Sequence, residues 1–147
     1  RGLVGSEMCI RDSRYVGAKI RTGSFTSTDI ELQSVEMDGS LTQTPEFPYN
    51  WMYDGSRPQM PGFEMEITCK SLFLIFKDSG EMDVGKADVF VNDVYCMTAD
   101  PHKNNWLHCN AVLLFWETES RSHKVRITVT EEDQNKKFTI LGFGYTI

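Results

Sequence analysis

Lys137-Phe138-Thr139-Ile140-Leu141-Gly142-Phe143-Gly144-Tyr145 closes a run of short apolar segments that begins at Phe63. Aromatic and β-branched side chains without helical spacing read as a strand. Gly142 and Gly144 loosen it. Working back, residues 123–129 alternate, with Val125, Ile127 and Val129 on one face. Residues 110–116 form a further apolar segment, ending in Trp116, which reads as core. Residues 87–91 and 94–97 flank Asn92-Asp93, two residues that tolerate left-handed backbone, so a tight hairpin is expected. Residues 72–76 are apolar throughout, as in a strand buried on both faces. Residues 63–69 alternate Phe63, Met65, Ile67 and Cys69 against Glu64, Glu66 and Thr68.

Upstream the pattern thins. A first strand is expected near residues 18–25 and a second near 30–37, where a change of phase at Ser34 suggests a bulge. Asp38-Gly39 then makes a turn. Residues 40–62 hold four of the five prolines together with Tyr49, Trp51, Met52 and Tyr53. Proline excludes a central strand, so a long aromatic loop or crossover is expected. Residues 78–85 and 99–109 read as loops, and Glu131-Glu132-Asp133 opens a charged turn. About eight strands in antiparallel order, with long connections, describe an all-β sandwich of jelly-roll type.

The 147 residues suit one domain with a core of ordinary size. Hydrophobic residues make up 40% and aromatic residues 12%, enough to fold. The net charge of −6, with no basic cluster beyond Lys136-Lys137, argues against nucleic acid and anionic membrane as partners. No apolar run approaches the roughly 20 residues of a membrane-spanning helix.

Cys69 sits in a strand pattern as a small core residue. Cys96 and Cys109 could pair across neighbouring strands or remain free. The cysteines show no CxxC spacing and no zinc pattern. Such scattered cysteines favour a reducing, cytoplasmic compartment over secretion. No cofactor is expected. His102 and His108 could meet a metal with Asp100, or be two solvated loop histidines. Asp78, Glu81 and Asp83 could offer oxygen ligands to Ca²⁺, or form a solvated acidic loop.

Residues 1–13, RGLVGSEMCIRDS, resemble a translated sequencing-adapter peptide. They lack the layout of a signal peptide. On this reading they are a non-native segment, residues 14–147 are one module, and the true N-terminus is missing.

Four stretches carry a family resemblance: FPYNWMYDGSRP (residues 47–58), LFLIFKDS (72–79), GKADVFVND (85–93) and KKFTILGFGYT (136–146). Taken in order, from about residue 23 to 145, they resemble the accessory β-sandwich module of bacterial SGNH/GDSL-type hydrolases. They are also similar to the jelly-roll module of carbohydrate esterase family 2. Members of that group carry a Gly-Gly-Trp-Asn-Asn-like loop. Here Asn104-Asn105-Trp106-Leu107-His108 keeps the tryptophan but places the asparagines before it. The resemblance implies a non-catalytic part of a larger carbohydrate esterase, with an SGNH catalytic domain as neighbour and an acetylated polysaccharide as ligand.

An SGNH site needs Ser in a Gly-Asp-Ser block and His in an Asp-x-x-His block. Asp38-Gly39-Ser40 and Asp54-Gly55-Ser56 have the wrong order, and Asp100-Pro101-His102 is one residue short. Catalysis is therefore not expected from these residues. A sugar site needs an exposed aromatic platform beside amides and carboxylates. Trp51, Tyr53 and Trp106, with Asp54, Asn104 and Asn105 (and Asn50) beside them, are the candidates. The competing reading has the tryptophans capping the core or packing on a neighbouring domain, which makes the chain a structural interaction domain.

Overall fold

The computed structural model describes residues 13–16, 25, 27–57, 62–103 and 109–147. Its strands are β1 (Ser13–Val16), β2 (Gln33–Val35), β3 (Leu41–Pro45), β4 (Trp51–Asp54), β5 (Phe63–Lys77), β6 (Ala87–Val91), β7 (Val94–Ala99), β8 (Cys109–Val129) and β9 (Lys137–Thr146). One turn of 3-10 helix, Glu131–Asp133, precedes β9. The main sheet runs β1-β9-β5-β8-β6-β7, with β4 on the same edge of β9 as β1, and β2 and β3 pair separately. These pairings are all antiparallel.

The sandwich arises where β5 and β8 turn a corner together. Phe63 to Cys69 pair with Ile127 to Arg121, and Ser71 to Lys77 pair with Trp116 to Cys109. Between the two runs, Lys70 on β5 faces the longer stretch 117–120 on β8. Surplus residues on one strand bend the pair and carry it from one layer to the other. One half of β5 and β8 continues into β6 and β7, and the other into β9, β4 and β1. The layers meet across aromatics. The Phe63 and Phe143 rings stack at 5.8 Å, and Trp51 meets Phe63 edge-on at 5.1 Å. Phe25, Trp51, Phe63, Phe138 and Phe143 are the largest fully buried side chains. Each removes roughly 1.5–3 kcal/mol worth of apolar surface from water.

The antiparallel jelly-roll sandwich expected from the sequence is the one observed. The hairpin at Asn92-Asp93 is present, with φ of 52° and 66°, and the bulge falls between Gln33 and Val35 as the phase change at Ser34 suggested. Asp38-Gly39 turns with Gly39 at φ 89°. Cys69 is fully buried, and burial pushes its thiol up to about 11.

Three expectations are corrected, and one open alternative is settled. Residues 63–69 and 72–76 form one strand, as do 110–116 and 123–129, because the intervening polar residues sit at the corner instead of ending the strand. Residues 40–62 are not one long loop: β3 and β4 lie within them, with Pro45 the last residue of β3 and Pro48 between the two strands. Trp116 is not core but 72% exposed. A register shift between Leu72 and Phe73 changes the phase of β8 and turns Trp116 outward, since a one-residue slip reverses every side chain. Of the two alternatives left open for Cys96 and Cys109, the free one holds: both are free thiols, and Cys96 Sγ donates to the Leu114 carbonyl at 3.6 Å. The strand expected at residues 18–25 lies outside the described residues except for Phe25. Ser13, assigned from sequence to the foreign segment, opens β1 opposite Thr146.

Candidate functional site

Two of the three rings in the aromatic platform read from the sequence are buried. Trp51 and Tyr53 point inward from β4, at 0% and 5% exposure. The sequence Trp-Met-Tyr-Asp alternates as a strand, and its aromatic face packs on Phe63, Phe143 and Phe25. Neither ring offers a face to a ligand. Asp54 ends β4, and its Oδ1 accepts from the N–H and hydroxyl of Ser56, so it fixes a turn. Asn104, Asn105 and Trp106 lie outside the described residues. Asn50 is 1% exposed and serves as a clamp: its Oδ1 accepts from Asp29 N, and its Nδ2 donates to the carbonyls of Asp29 and Phe47.

That clamp positions a charged cavity. The segment carrying Asp29 and Glu31 runs beside Met52 of β4, and Ser27 bridges to Met52. Lys77 ends the apolar strand β5 and meets this segment. Its Nζ lies 2.9 Å from Asp29 Oδ2 and 2.9 Å from Glu31 Oε2. Thr139 of β9 donates its hydroxyl to the same Asp29 oxygen at 2.8 Å. The side chains of Lys77 and Asp29 are 10% and 8% exposed, and that of Glu31 is 70% exposed. Around them opens a cavity of about 130 Å³, completed by Met52, Val84 and the pair Lys137–Asp83, whose Nζ and Oδ2 are 3.5 Å apart.

The electrostatics of this cluster are closed. Burial pushes the Asp29 carboxyl up, but the Glu31 N–H, Lys77 and the Thr139 hydroxyl outweigh it and hold the group below its usual range. Burial pulls the Lys77 ammonium down, and the hydrogen bonds to Glu31 and Asp29 more than reverse this. Both groups are therefore charged at neutral pH. Sequence reading passed over this set. The available signals were a lysine closing the apolar run Leu72-Phe73-Leu74-Ile75-Phe76 and two acids two residues apart.

A second feature lies on the outward face of the β8–β5–β9 layer. Trp116, Ser71 and Thr146 form one cross-strand row, and Leu113, Phe73 and Gly144 the next. Trp116 and Leu113 are 72% and 48% exposed. Ser71 and Thr146 hydroxyls share a hydrogen bond of 2.6 Å.

The other sequence candidates are structural. His102 bonds through Nε2 to the Val84 carbonyl at 2.6 Å, and its backbone N–H donates to Asp100 Oδ1 at 2.9 Å. Among the described residues no three His, Cys, Asp or Glu side chains converge to hold a metal, so Asp78, Glu81 and Asp83 form no such set. His108 lies outside the described residues. Asp38 accepts from Ser40 as Asp54 does from Ser56, so both Asp-Gly-Ser triplets are turns. No helix among the described residues is long and apolar enough to cross a membrane.

No protein-family model matches the chain, and no curated protein sequence matches it. Solved structures do. A two-domain esterase active on acetylated mannans, co-crystallised with mannopentaose, superposes with a TM-score of 0.61 at 14% identity, over 91% of this chain and 36% of its own. A second structure of a two-domain esterase active on acetylated mannans gives 0.58 at 12% identity, over 91% and 36%. A family two carbohydrate esterase from Cellvibrio japonicus gives 0.54 at 13% identity, over 91% and 33%. The chain thus spans about a third of the esterase chains it resembles. At such identities the likeness establishes a shared fold: this sandwich is also built into carbohydrate esterases.

Proposed function

We propose that the chain is a non-catalytic β-sandwich module of a larger carbohydrate esterase, and that it contributes contacts to a glycan beside the ester-cleaving part. One observation carries this reading. Nine-tenths of the chain superposes on a third of a two-domain esterase active on acetylated mannans. The sequence supports it, since no Gly-Asp-Ser or Asp-x-x-His block occurs in it. The glycan would be an acetylated polysaccharide, and the neighbour an ester hydrolase of the SGNH type. Isothermal titration of the 147-residue chain with acetylated manno- and xylo-oligosaccharides tests it. Saturable binding is expected, and none from a folded, monomeric sample overturns it.

A second reading has the module as a structural partner that packs on its catalytic neighbour. The exposed Trp116 and Leu113 on one outward face favour it. On that reading the isolated chain associates at rising concentration, and Trp116→Ser makes it monomeric.

A further inference from the structure

We propose that the cavity around Lys77 is a binding site for one uncharged sugar residue, held through a pair of neighbouring hydroxyls. The inference rests on the glycan-module reading above and names where on the surface the sugar sits.

Size and charge select the ligand class. About 130 Å³ is well below the several hundred Å³ of sites for drug-sized molecules, and suits one ring or its substituent. Asp29, Glu31 and Asp83 face Lys77 and Lys137, so the carboxylates outnumber the ammonium groups by one. The charges are already paired with each other. A phosphate or uronate would meet an unfavourable balance. A neutral polyol meets none.

The hydrogen-bond inventory fits a diol. An ammonium has three N–H groups, and two of those on Lys77 go to Asp29 and Glu31. One donor remains. Glu31 uses Oε2 for Lys77, and the Thr139 hydroxyl donates to Asp29, which leaves acceptor capacity on both. A sugar hydroxyl accepts and donates at once, so two adjacent hydroxyls can take the Lys77 donor and return protons to Glu31 and Thr139. Met52 and Val84 give C–H contact at the cavity wall. The site is also preorganised. Asn50 fixes the Asp29 backbone from both sides, so little ordering remains to oppose binding.

The test is an amide-resolved NMR titration of the 147-residue chain with mannotriose, xylotriose and a trigalacturonate. The neutral sugars should shift residues 29–31, 77 and 137–139. Glu31→Ala, whose side chain is largely exposed and so leaves the fold intact, should weaken binding at least tenfold. Lys77→Met should abolish binding, and where that variant fails to fold, Glu31→Ala alone decides. If neutral sugars bind but shift other residues, or if Glu31→Ala binds as tightly as the parent, the cavity assignment falls and the glycan-module reading stands. Preferential binding of the uronate overturns the neutral-ligand assignment. No response to any sugar overturns both.

Discussion

Lys77 Nζ stands 2.9 Å from Asp29 Oδ2 across 48 residues of sequence, and the contact ties the end of β5 to the segment that crosses β4. Both side chains are about nine-tenths buried. Removing one partner of a buried ion pair leaves a desolvated charge, which costs roughly 3–5 kcal/mol. Lys77→Met should therefore destabilise by about 3 kcal/mol in urea unfolding. Asp29→Asn/Lys77→Met together should recover part of that loss. Independent, additive costs would show that the two do not act as a pair.

The same contact sets a pH window. Asp29 is held below its free value, so its stabilisation is complete above the unfolded pKa near 4 and is lost as pH falls through the folded value. Lys77 is held above its free value, so its share is complete below about pH 10 and is lost as pH rises through the folded one. Asp133 adds to the acid limb. Burial pushes its carboxyl up, but the Lys86 N–H and Lys136 pull it lower overall. Stability should be flat from the acid limb up to the free thiol range at about pH 8.5, above which Cys69, pushed up to about 11 in the fold, begins the alkaline loss, and Asp29→Asn should make the acid limb shallower. An unchanged acid limb in that variant would count against the assignment.

Trp51 and Trp116 should respond in opposite ways. Trp51 is fully buried against Phe63 and Phe143, so Trp51→Ala should cost roughly 3–5 kcal/mol. Trp116 is 72% exposed, and Trp116→Ala should change stability by less than about 0.5 kcal/mol. Chemical denaturation of the two variants measures both. Equal costs would place Trp116 in the core after all.

That contrast shows what was legible in the chain and what was not. Alternation in FEMEITC and the Asn92-Asp93 punctuation act locally, and both led to the observed strands. The corner of β5 and β8 is a long-range event: Lys70-Ser71 read as a break because polarity alone does not separate a turn from a bend. The phase of Trp116 depends on a register shift between two strands 40 residues apart in sequence, which no local pattern encodes. Prolines at 45, 48, 58 and 61 masked β4, although Trp51-Met52-Tyr53-Asp54, between Pro48 and Pro58, alternates cleanly. The Asp29–Lys77 cluster was invisible because its members come from three separate segments.

Asp78 poses a different problem. It is 4% exposed, and among the described residues neither carboxylate oxygen has a hydrogen-bond partner. A buried charge without compensation is costly, whereas an amide of the same shape costs less to desolvate. Asp78→Asn should therefore raise stability by at least about 1 kcal/mol, read as a higher urea midpoint with an unchanged slope. A loss of stability would mean that the carboxylate is held by a cation or donor, and equilibrium dialysis against Ca²⁺ would identify the first of these.

Gly55 gives the sharpest steric prediction. It follows β4 in the turn closed by Asp54 and Ser56, and its N–H donates to the Lys136 carbonyl at 3.0 Å. A Cβ at this position would overlap the backbone of Asn135, Gln134 and Lys136. Those atoms belong to the turn between the 3-10 helix and β9 and cannot rotate away as a flexible side chain could. Gly39 is the control, because nothing lies within 4 Å of its added Cβ, and only its φ of 89° opposes a side chain. Gly55→Ala should cost more than about 2 kcal/mol, above the roughly 1 kcal/mol expected from left-handed strain at Gly39→Ala. Thermal melts of the two variants side by side decide it. A smaller loss at Gly55 than at Gly39 would mean that the β4 turn does not pack on the strand that closes the sandwich.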